Sequence, residues 1–212
     1  MASTKVFLLS PASTRGERAK LLLNPHAGFD LACRLREQGA PIGEVYAFIS
    51  ELYFRGKMAY VQAFSSPPPA VPGAVVITPG AGLLPPSTII TREQLLALAE
   101  VDIHEGEPLY REPLERDARL LSQMCLGECQ FVLLGSIASA KYMDPLIECF
   151  GERLVFPGDF VGRGDMSRGG MMLRCARETR ELSYIPAIGA VRRGQRPPKL
   201  PKLSRRESDP FR

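Results

Sequence analysis

Four short apolar runs dominate the pattern of the chain, and each ends in a small, polar or glycine-rich turn. They are Lys5–Leu9 before Ser10-Pro11, Ala74–Ile77 before Thr78-Pro79-Gly80, Phe131–Leu134 before Gly135-Ser136, and Arg153–Phe156 before Pro157-Gly158. Stretches of helical periodicity separate these runs. Buried parallel strands joined by helices produce this pattern. The sequence therefore predicts an α/β fold, a Rossmann-like three-layer sandwich with a mostly parallel sheet of about four to five strands.

Apolar residues recur at spacings of three and four between Ile42 and Phe64, which predicts one long amphipathic helix. Gly56 is expected to bend or interrupt it. Shorter helices are predicted within 17–23, 31–38, 91–99, 108–124, 138–150 and around 171–177, and Tyr184–Ala187 is expected to be an edge strand. These segments supply the helical layers of the predicted sandwich.

The chain has 212 residues, and we expect one α/β domain over 1–190 followed by a disordered, basic, proline-rich tail over 191–212. The net charge is +4. The tail has eight Lys and Arg residues against only Glu207 and Asp209, so it accounts for more than the whole excess. The body is therefore close to neutral, and its composition does not favour a nucleic-acid-binding face.

Composition places the chain among ordinary globular proteins, with 45% hydrophobic and 24% charged residues. No apolar run approaches the roughly 20 residues of a membrane span. The first run ends early, at Ser10-Pro11, so we expect no signal peptide and a cytoplasmic location. Cys125 and Cys129 would share a helix face, but no second ligand pair has a zinc-site spacing. We therefore predict buried or half-buried thiols, without a metal site.

In parallel sheets, ligands bind beyond the carboxyl ends of the strands. The segment from Phe156 to Met171 is the richest candidate, because a strand there gives way to glycines, arginines and a serine at a helix start. The predicted anion-binding residues in it are Gly162, Arg163, Gly164, Ser167 and Arg168. A tight connection in which Asp165 or Ser167 only caps the helix explains the pattern equally well.

The other strand ends complete the candidate site. The predicted ligand-binding residues there are Ser10, Ser13 and Arg15 after the first run, Gly80 and Gly82 after the second, and Gly135 and Ser136 after the third. Tyr53, Arg55 and Lys57 would reach this crevice if their helix lies beside it, although helical Arg and Lys side chains are more often solvated.

Two acids are the candidates for general-base catalysis. Asp159 and Asp165 share the glycine-rich turn with the arginines, and we assign them this role from position alone. A serine hydrolase is disfavoured, because the chain has no Gly-x-Ser-x-Gly elbow and only His26 and His104 could act as the base. The sequence names neither a reaction nor a cofactor.

Several motifs occur in a familiar order: Leu8-Leu9-Ser10-Pro11-Ala12, Leu52-Tyr53-x-Arg55-x-Lys57-x-x-Tyr60, Val76-Ile77-x-x-x-Ala81-Gly82-Leu83-Leu84-x-Pro86, and Gly135 followed by Lys141-Tyr142-x-x-Pro145-Leu146. In this order the chain resembles, over residues 5–175, a family of small bacterial and phage domains often labelled peroxide-stress-protein-like. The resemblance implies a compact α/β domain with a link to DNA or nucleotide metabolism.

The chain departs from that family at two turns. The family commonly has a lysine where this chain has Ser13, and a Ser-Ala-Lys-His/Tyr-Gly turn where this chain has Thr78–Gly82. If those basic residues bind an anion in the family, this chain must use Arg15, Arg18 or Arg163 instead.

Two functions follow as hypotheses. The first is that the protein binds or acts on a phosphorylated nucleoside or another nucleic-acid-related ligand at the strand ends. The second is a non-catalytic interaction or accessory protein, in which the basic tail binds an acidic partner or nucleic acid. The partners under test are therefore an anionic small molecule or nucleic acid, and not a membrane. The sequence does not determine the oligomeric state.

Overall fold

A computed structural model describes residues 4–125, 127 and 129–198. The strands are β1 (Lys5–Leu9), β2 (Ala40–Pro41), β3 (Ala74–Thr78), β4 (Gly82–Leu84), β5 (Ile89–Ile90), β6 (Gln130–Leu134), β7 (Leu154–Pro157) and β8 (Tyr184–Pro186). The α-helices are α1 (Glu17–Leu23), α2 (Asp30–Glu37), α3 (Ile42–Ser50), α4 (Leu52–Phe64), α5 (Arg92–Glu100), α6 (Pro108–Met124), α7 (Ala140–Phe150) and α8 (Asp165–Glu178). Short 3-10 turns flank β7 at Gly151–Arg153 and Gly158–Phe160.

The main sheet has six strands in the order β4-β3-β1-β6-β7-β8. The four central strands are parallel and correspond to the four apolar runs, while β4 and β8 pair antiparallel at the two edges. This confirms the predicted α/β class and the mostly parallel sheet. It has one more strand than expected, because β4 forms a hairpin with β3.

Side-chain alternation in β1 divides the core into two layers. Phe7 and Leu9 face the layer that contains α1–α4 and α8, whereas Val6 and Leu8 face α6 and α7. All four side chains are completely buried. A sheet covered on both faces explains why its strands appear in the sequence as continuous apolar runs.

The chain passes from β1 to β3 on one side of β1, and from β6 to β7 on the opposite side of the sheet. The direction of strand addition therefore reverses between the neighbouring strands β1 and β6. In open α/β sheets such a switch point forms a crevice at the carboxyl edge. Ser10 and Gly135 are the residues that follow β1 and β6 at this edge. The fold therefore brings two of the predicted strand-end turns together.

The single helix predicted over 42–64 is wrong. The chain breaks at Glu51, whose φ of 42° and ψ of −118° separate α3 from α4. Arg18 forms an ion pair with the Glu51 carboxylate at 2.8 Å. Both helices contribute to the same core layer, which is why the apolar spacing continues across the break.

Gly56 does not interrupt α4 but is its closest point of contact with α8. A Cβ atom built on Gly56 would lie 2.5 Å from the Gly169 carbonyl oxygen, and one on Gly169 would lie 2.5 Å from the Leu52 carbonyl oxygen. Both contacts are with backbone, which cannot rotate away. The two glycines thus allow α4 and α8 to pack at a distance that other residues would prevent.

The predicted tail has two parts. Residues 191–198 carry neither helix nor strand, yet they contact the domain: Arg192 donates to Asp144 at 3.3 Å, and the Pro198 carbonyl accepts from Arg163 at 3.1 Å. Residues 199–212, where disorder was also expected, lie outside the described residues. Within the described part of the chain, no helix combines the length and the apolar character that crossing a membrane requires.

Gly56→Ala is expected to destabilise the fold by about 1–3 kcal/mol, because the added methyl group overpacks the contact between α4 and α8. Gly170→Ala is the matched control, since Gly170 lies in α8 and its added Cβ would meet nothing within 4 Å. We expect that variant to be as stable as the wild type or up to about 1 kcal/mol more stable, because alanine is the better helix former. Urea unfolding measures both, and an unchanged midpoint for Gly56→Ala would contradict the close packing.

Candidate functional site

A polar pocket of about 630 Å³ opens at the carboxyl edge of the sheet, beside the switch point. Ser10 and Ser136 line it from the ends of β1 and β6, Tyr53 from α4, and Asp165 from the start of α8. The hydroxyl-bearing residues of its wall are Ser10, Ser13, Thr14, Ser50, Tyr53, Ser136, Ser139 and Tyr142. The pocket is therefore suited to a ligand rich in hydrogen-bonding oxygens.

Lys57 lies immediately behind Ser10 and is completely buried. Its Nζ lies 2.8 Å from both the carbonyl oxygen and the Oγ of Ser10. The amine also lies 4.0 Å from the centroid of the Tyr53 ring, a cation–π distance when it is protonated. The predicted solvent exposure is thus wrong for Lys57, which has an ordered place at the base of the site.

Burial lowers the pKa of the Lys57 amine to about 7, with Asp165 opposing the change and Arg168 adding to it. The cause is the loss of water around the charged form. Near neutral pH, the amine is therefore present in both protonation states. In the neutral state it can accept the hydroxyl proton of Ser10 while still donating to the Ser10 carbonyl.

Ser10, which follows β1, is hydrogen-bonded to the end of β6. Its backbone N–H donates to the Leu134 carbonyl at 3.3 Å, and its Oγ lies 3.5 Å from the same oxygen. Ser10 is 4% exposed, and it is one of the residues that line the pocket. A Cβ on Gly135 would approach the Ser10 Cβ to 3.0 Å, so the glycine leaves room for the serine.

Two hydroxyl groups at the pocket lack partners. The Tyr53 Oη and the Ser139 Oγ are buried and form no hydrogen bond of ordinary geometry within the described residues, but Arg168 and Ser10 lie near enough to the Tyr53 hydroxyl to affect its pKa. Burial raises the pKa of Tyr53 to about 12; Asp165 adds to the rise, whereas Arg168 and Ser10 oppose it. Tyr53 therefore keeps its proton and can donate it in a hydrogen bond. Ser139 precedes α7 without capping it, so the first N–H groups of that helix also remain available.

The charged residues of the pocket are close to balanced. Arg15 forms an exposed ion pair with Asp102, and both line the rim. Lys141 and Asp165 contribute one further charge of each sign. The rim therefore supplies two cations that an anionic group could contact if the Arg15–Asp102 pair opens.

The arginines of the glycine-rich turn do not line this pocket. Arg168 is buried and donates to the Phe160 carbonyl at 3.1 Å and to Asp165 at 3.4 Å. Arg163 donates to the Asp159 carbonyl at 3.1 Å and to the Ser167 Oγ at 3.4 Å. The two guanidinium groups therefore hold different parts of the turn, and their predicted contact with an anion stays a prediction.

The remaining predicted residues divide between the pocket and the scaffold. Ser10, Ser13, Arg15, Ser136 and Asp165 line the pocket, whereas Asp159, Gly80, Gly82, Gly135, Gly162, Gly164 and Ser167 do not. Gly80 and Gly82 form the turn between β3 and β4, where Thr78 Oγ1 donates to the Gly82 carbonyl at 2.9 Å.

A larger depression of about 1270 Å³ lies on another side of the molecule. Its wall is formed largely by apolar residues and prolines, including Phe29, Phe48 and Met58, and it also contains Arg55. Of the three residues considered on α4, only Tyr53 and Lys57 thus reach the switch-point site. Among the described residues, no group of three or more His, Cys, Asp and Glu side chains is placed to hold a metal ion.

Lys57→Met is expected to remove a pH dependence of stability. The unfolded lysine binds its proton up to about its ordinary pKa of 10.5, whereas the folded one releases it near 7. The unfolded state therefore binds more protons between these values, and wild-type stability should rise with pH by at most about 1.4 kcal/mol per unit relative to the methionine variant.

Urea unfolding at pH 7, 8 and 9 measures this difference, and the subtraction cancels groups common to both proteins. Lys20→Met is the control, because Lys20 is exposed on α1 and its curve should run parallel to that of the wild type. Parallel curves for Lys57→Met and the wild type would contradict the buried neutral amine.

Comparison with known proteins adds no relative: no family model matches the chain, and neither a curated protein nor a solved structure matches it. The resemblance to the peroxide-stress-protein-like domains therefore stays a prediction from motif order. The site has to be interpreted from its own geometry.

Proposed function

We propose that the switch-point pocket binds a phosphorylated nucleoside or a closely related nucleic-acid component. The observation that carries this proposal is the pocket itself: about 630 Å³, lined by both polar and apolar residues, at the carboxyl edge between β1 and β6. Pockets of roughly 300–1,000 Å³ bind small organic ligands, and crevices at this position of α/β sheets bind nucleotides.

The wall chemistry supports a ligand of this class. Ribose and phosphate present many oxygens, and Ser13, Thr14 and Ser136 offer hydroxyl groups to them. Lys141 lies in the first turn of α7, where its charge adds to the positive end of the helix dipole. A phosphate near Lys141 and Arg15 would therefore be stabilised by two cations and by unpaired backbone N–H groups.

The apolar part of the wall suits a base. Leu98, Val101, Ile103 and Tyr142 line the same pocket as the hydroxyl groups. An aromatic or aliphatic surface beside a polar rim allows a ligand with one flat apolar end and one charged end. A nucleoside monophosphate has this distribution of chemistry, whereas inorganic phosphate would leave the apolar part uncovered.

Isothermal titration calorimetry of the full chain with the four nucleoside monophosphates tests the proposal, with the matching nucleosides and inorganic phosphate as comparisons. We expect at least one monophosphate to bind more tightly than its nucleoside and than phosphate. Lys141→Gln should weaken its affinity about tenfold, as expected for the loss of roughly 1.4 kcal/mol. Lys20→Gln, an exposed change on α1, should leave the affinity unaltered.

Two results would contradict this location or this ligand. Loss of binding in Arg163→Gln with normal binding in Lys141→Gln would move the site to the glycine-rich turn. Binding of single-stranded DNA alone, falling steeply between about 50 and 200 mM salt, would favour the interaction protein in which the basic tail makes the contacts.

A further inference from the structure

Ser10 and Lys57 meet in the arrangement that an activated serine nucleophile requires. The Lys57 Nζ lies 2.8 Å from the Ser10 Oγ, within the hydrogen-bond distance for proton transfer. The serine lines the pocket, whereas the lysine is fully buried behind it. The hydroxyl and the amine are therefore within proton-transfer distance of each other at the pocket wall.

The lysine is also held in one orientation. A second contact of 2.8 Å joins its Nζ to the Ser10 carbonyl oxygen, and the Tyr53 ring covers the amine at 4.0 Å. A neutral amine can satisfy the carbonyl with one N–H and direct its lone pair at the hydroxyl. This fixed geometry corresponds to the orienting contact that a third residue gives to the base in catalytic triads.

Two buried hydroxyl groups belong to residues that line the same pocket. The Tyr53 Oη and the Ser139 Oγ are buried without a hydrogen-bond partner in the described chain, and both residues line the pocket. Unpaired buried hydroxyls cost free energy unless a ligand satisfies them. Neutral donors of this kind suit the single charge of a tetrahedral acyl intermediate.

We propose that Ser10 is a nucleophile activated by Lys57, and that the pocket cleaves a carboxylic ester of a small alcohol. The Ser10 Oγ forms a bond to the ester carbonyl carbon while its proton passes to the Lys57 amine. The bond from that carbon to the alcohol oxygen then breaks, and Lys57 returns the proton to the departing alcohol.

The second half of the reaction regenerates the serine. Water attacks the acylated Ser10 and gives a proton to Lys57, the bond between the acyl carbon and Oγ breaks, and Oγ recovers the proton from Lys57. The products are one carboxylic acid and one alcohol, without a net redox change. This chemistry goes beyond the proposed binding of a phosphorylated nucleoside and does not depend on it.

A fluorophosphonate probe tests the nucleophile directly in the full-length protein. The Ser10 Oγ would form a bond to phosphorus, fluoride would leave, and the hydroxyl proton would pass to Lys57. We expect one adduct by intact mass, located on Ser10 by peptide mass spectrometry. No adduct on the wild type, or an adduct only on another residue, would overturn the proposal.

Variants then separate the two roles. Ser10→Ala should abolish labelling, and Lys57→Met should slow it at least 100-fold while circular dichroism shows a folded protein. Ser87→Ala and Lys20→Met alter exposed residues away from the pocket, and their labelling rates should equal that of the wild type. A folded Lys57→Met protein that labels at the wild-type rate would contradict activation by Lys57.

The wild-type labelling rate as a function of pH is a test that needs no variant. The groups facing the amine are Asp165 and Arg168 from α8 and Tyr53 from its own helix. The rate should rise as Lys57 loses its proton and level off above that transition. A flat profile from pH 6 to 9 would overturn the proposal, and hydrolysis of p-nitrophenyl acetate with the same profile would extend it to an ester.

Discussion

The burial of the Lys57 amine against the end of β1 is the interaction on which the site depends. At the switch point, neighbouring strands diverge in their connections, and the Ser10 carbonyl oxygen accepts its hydrogen bond from the Lys57 side chain. A water molecule could satisfy a carbonyl at such an edge without burying an ionisable group. In this protein the Lys57 amine occupies that position, and its burial removes the water around it. Ionisable groups in this condition concentrate at functional sites.

The packing of α4 on α8 encloses this amine. Gly56 and Gly169 allow α4 and α8 to approach closely, and Lys57 is the next residue of α4. Asp165 and Arg168, from the first turn of α8, are the charged groups that act on its amine. Arg168 then anchors this helix start through its bond to the Phe160 carbonyl, and Asp165 remains at the pocket wall. A glycine contact in the core and a lysine at the site are thus parts of the same structural arrangement. A change at either glycine would be transmitted to the surroundings of the amine.

The sheet could be predicted from the sequence because a strand buried on both faces leaves a continuous apolar run, and four such runs became the four parallel strands. The break at Glu51 could not be predicted by that reasoning. Apolar periodicity reports which face is buried, and α3 and α4 bury the same face. Gly56 is visible in the sequence, but a glycine in a helix has two possible explanations: it weakens the helix, or it allows another element to pack closely against it. The second explanation needs α8, which lies more than one hundred residues away in the sequence.

The position of Lys57 in its helix indicates burial, although lysine is usually an exposed residue. It lies on the apolar side of its helix, four residues after Tyr53 and three before Tyr60, both of which are buried. A lysine on the buried face of a helix is more often buried than lysines are in general. The missing Gly-x-Ser-x-Gly elbow and the two histidines argue against a hydrolase with a histidine base, whereas a lysine also serves as a base once burial removes its charge. Spacing in the chain could not show that this lysine meets Ser10, 47 residues before it.

The two arginines of the glycine-rich turn hold that turn in place. Arg163 and Arg168 are close in sequence and follow a strand, yet their guanidinium groups bind backbone carbonyls of the turn itself. Five N–H donors on a rigid fork are also an efficient means of holding an irregular loop, so clustered arginines do not by themselves indicate a ligand. In this protein the two arginines form their hydrogen bonds within the turn, and the pocket is lined by hydroxyl-bearing residues. Recognition at such a wall depends on the geometry of hydrogen bonds, with positive charge confined to Arg15 and Lys141. The two proposals therefore concern different parts of the pocket: the proposed phosphate contacts are the cations at the rim, and the proposed nucleophile and its base are Ser10 and Lys57.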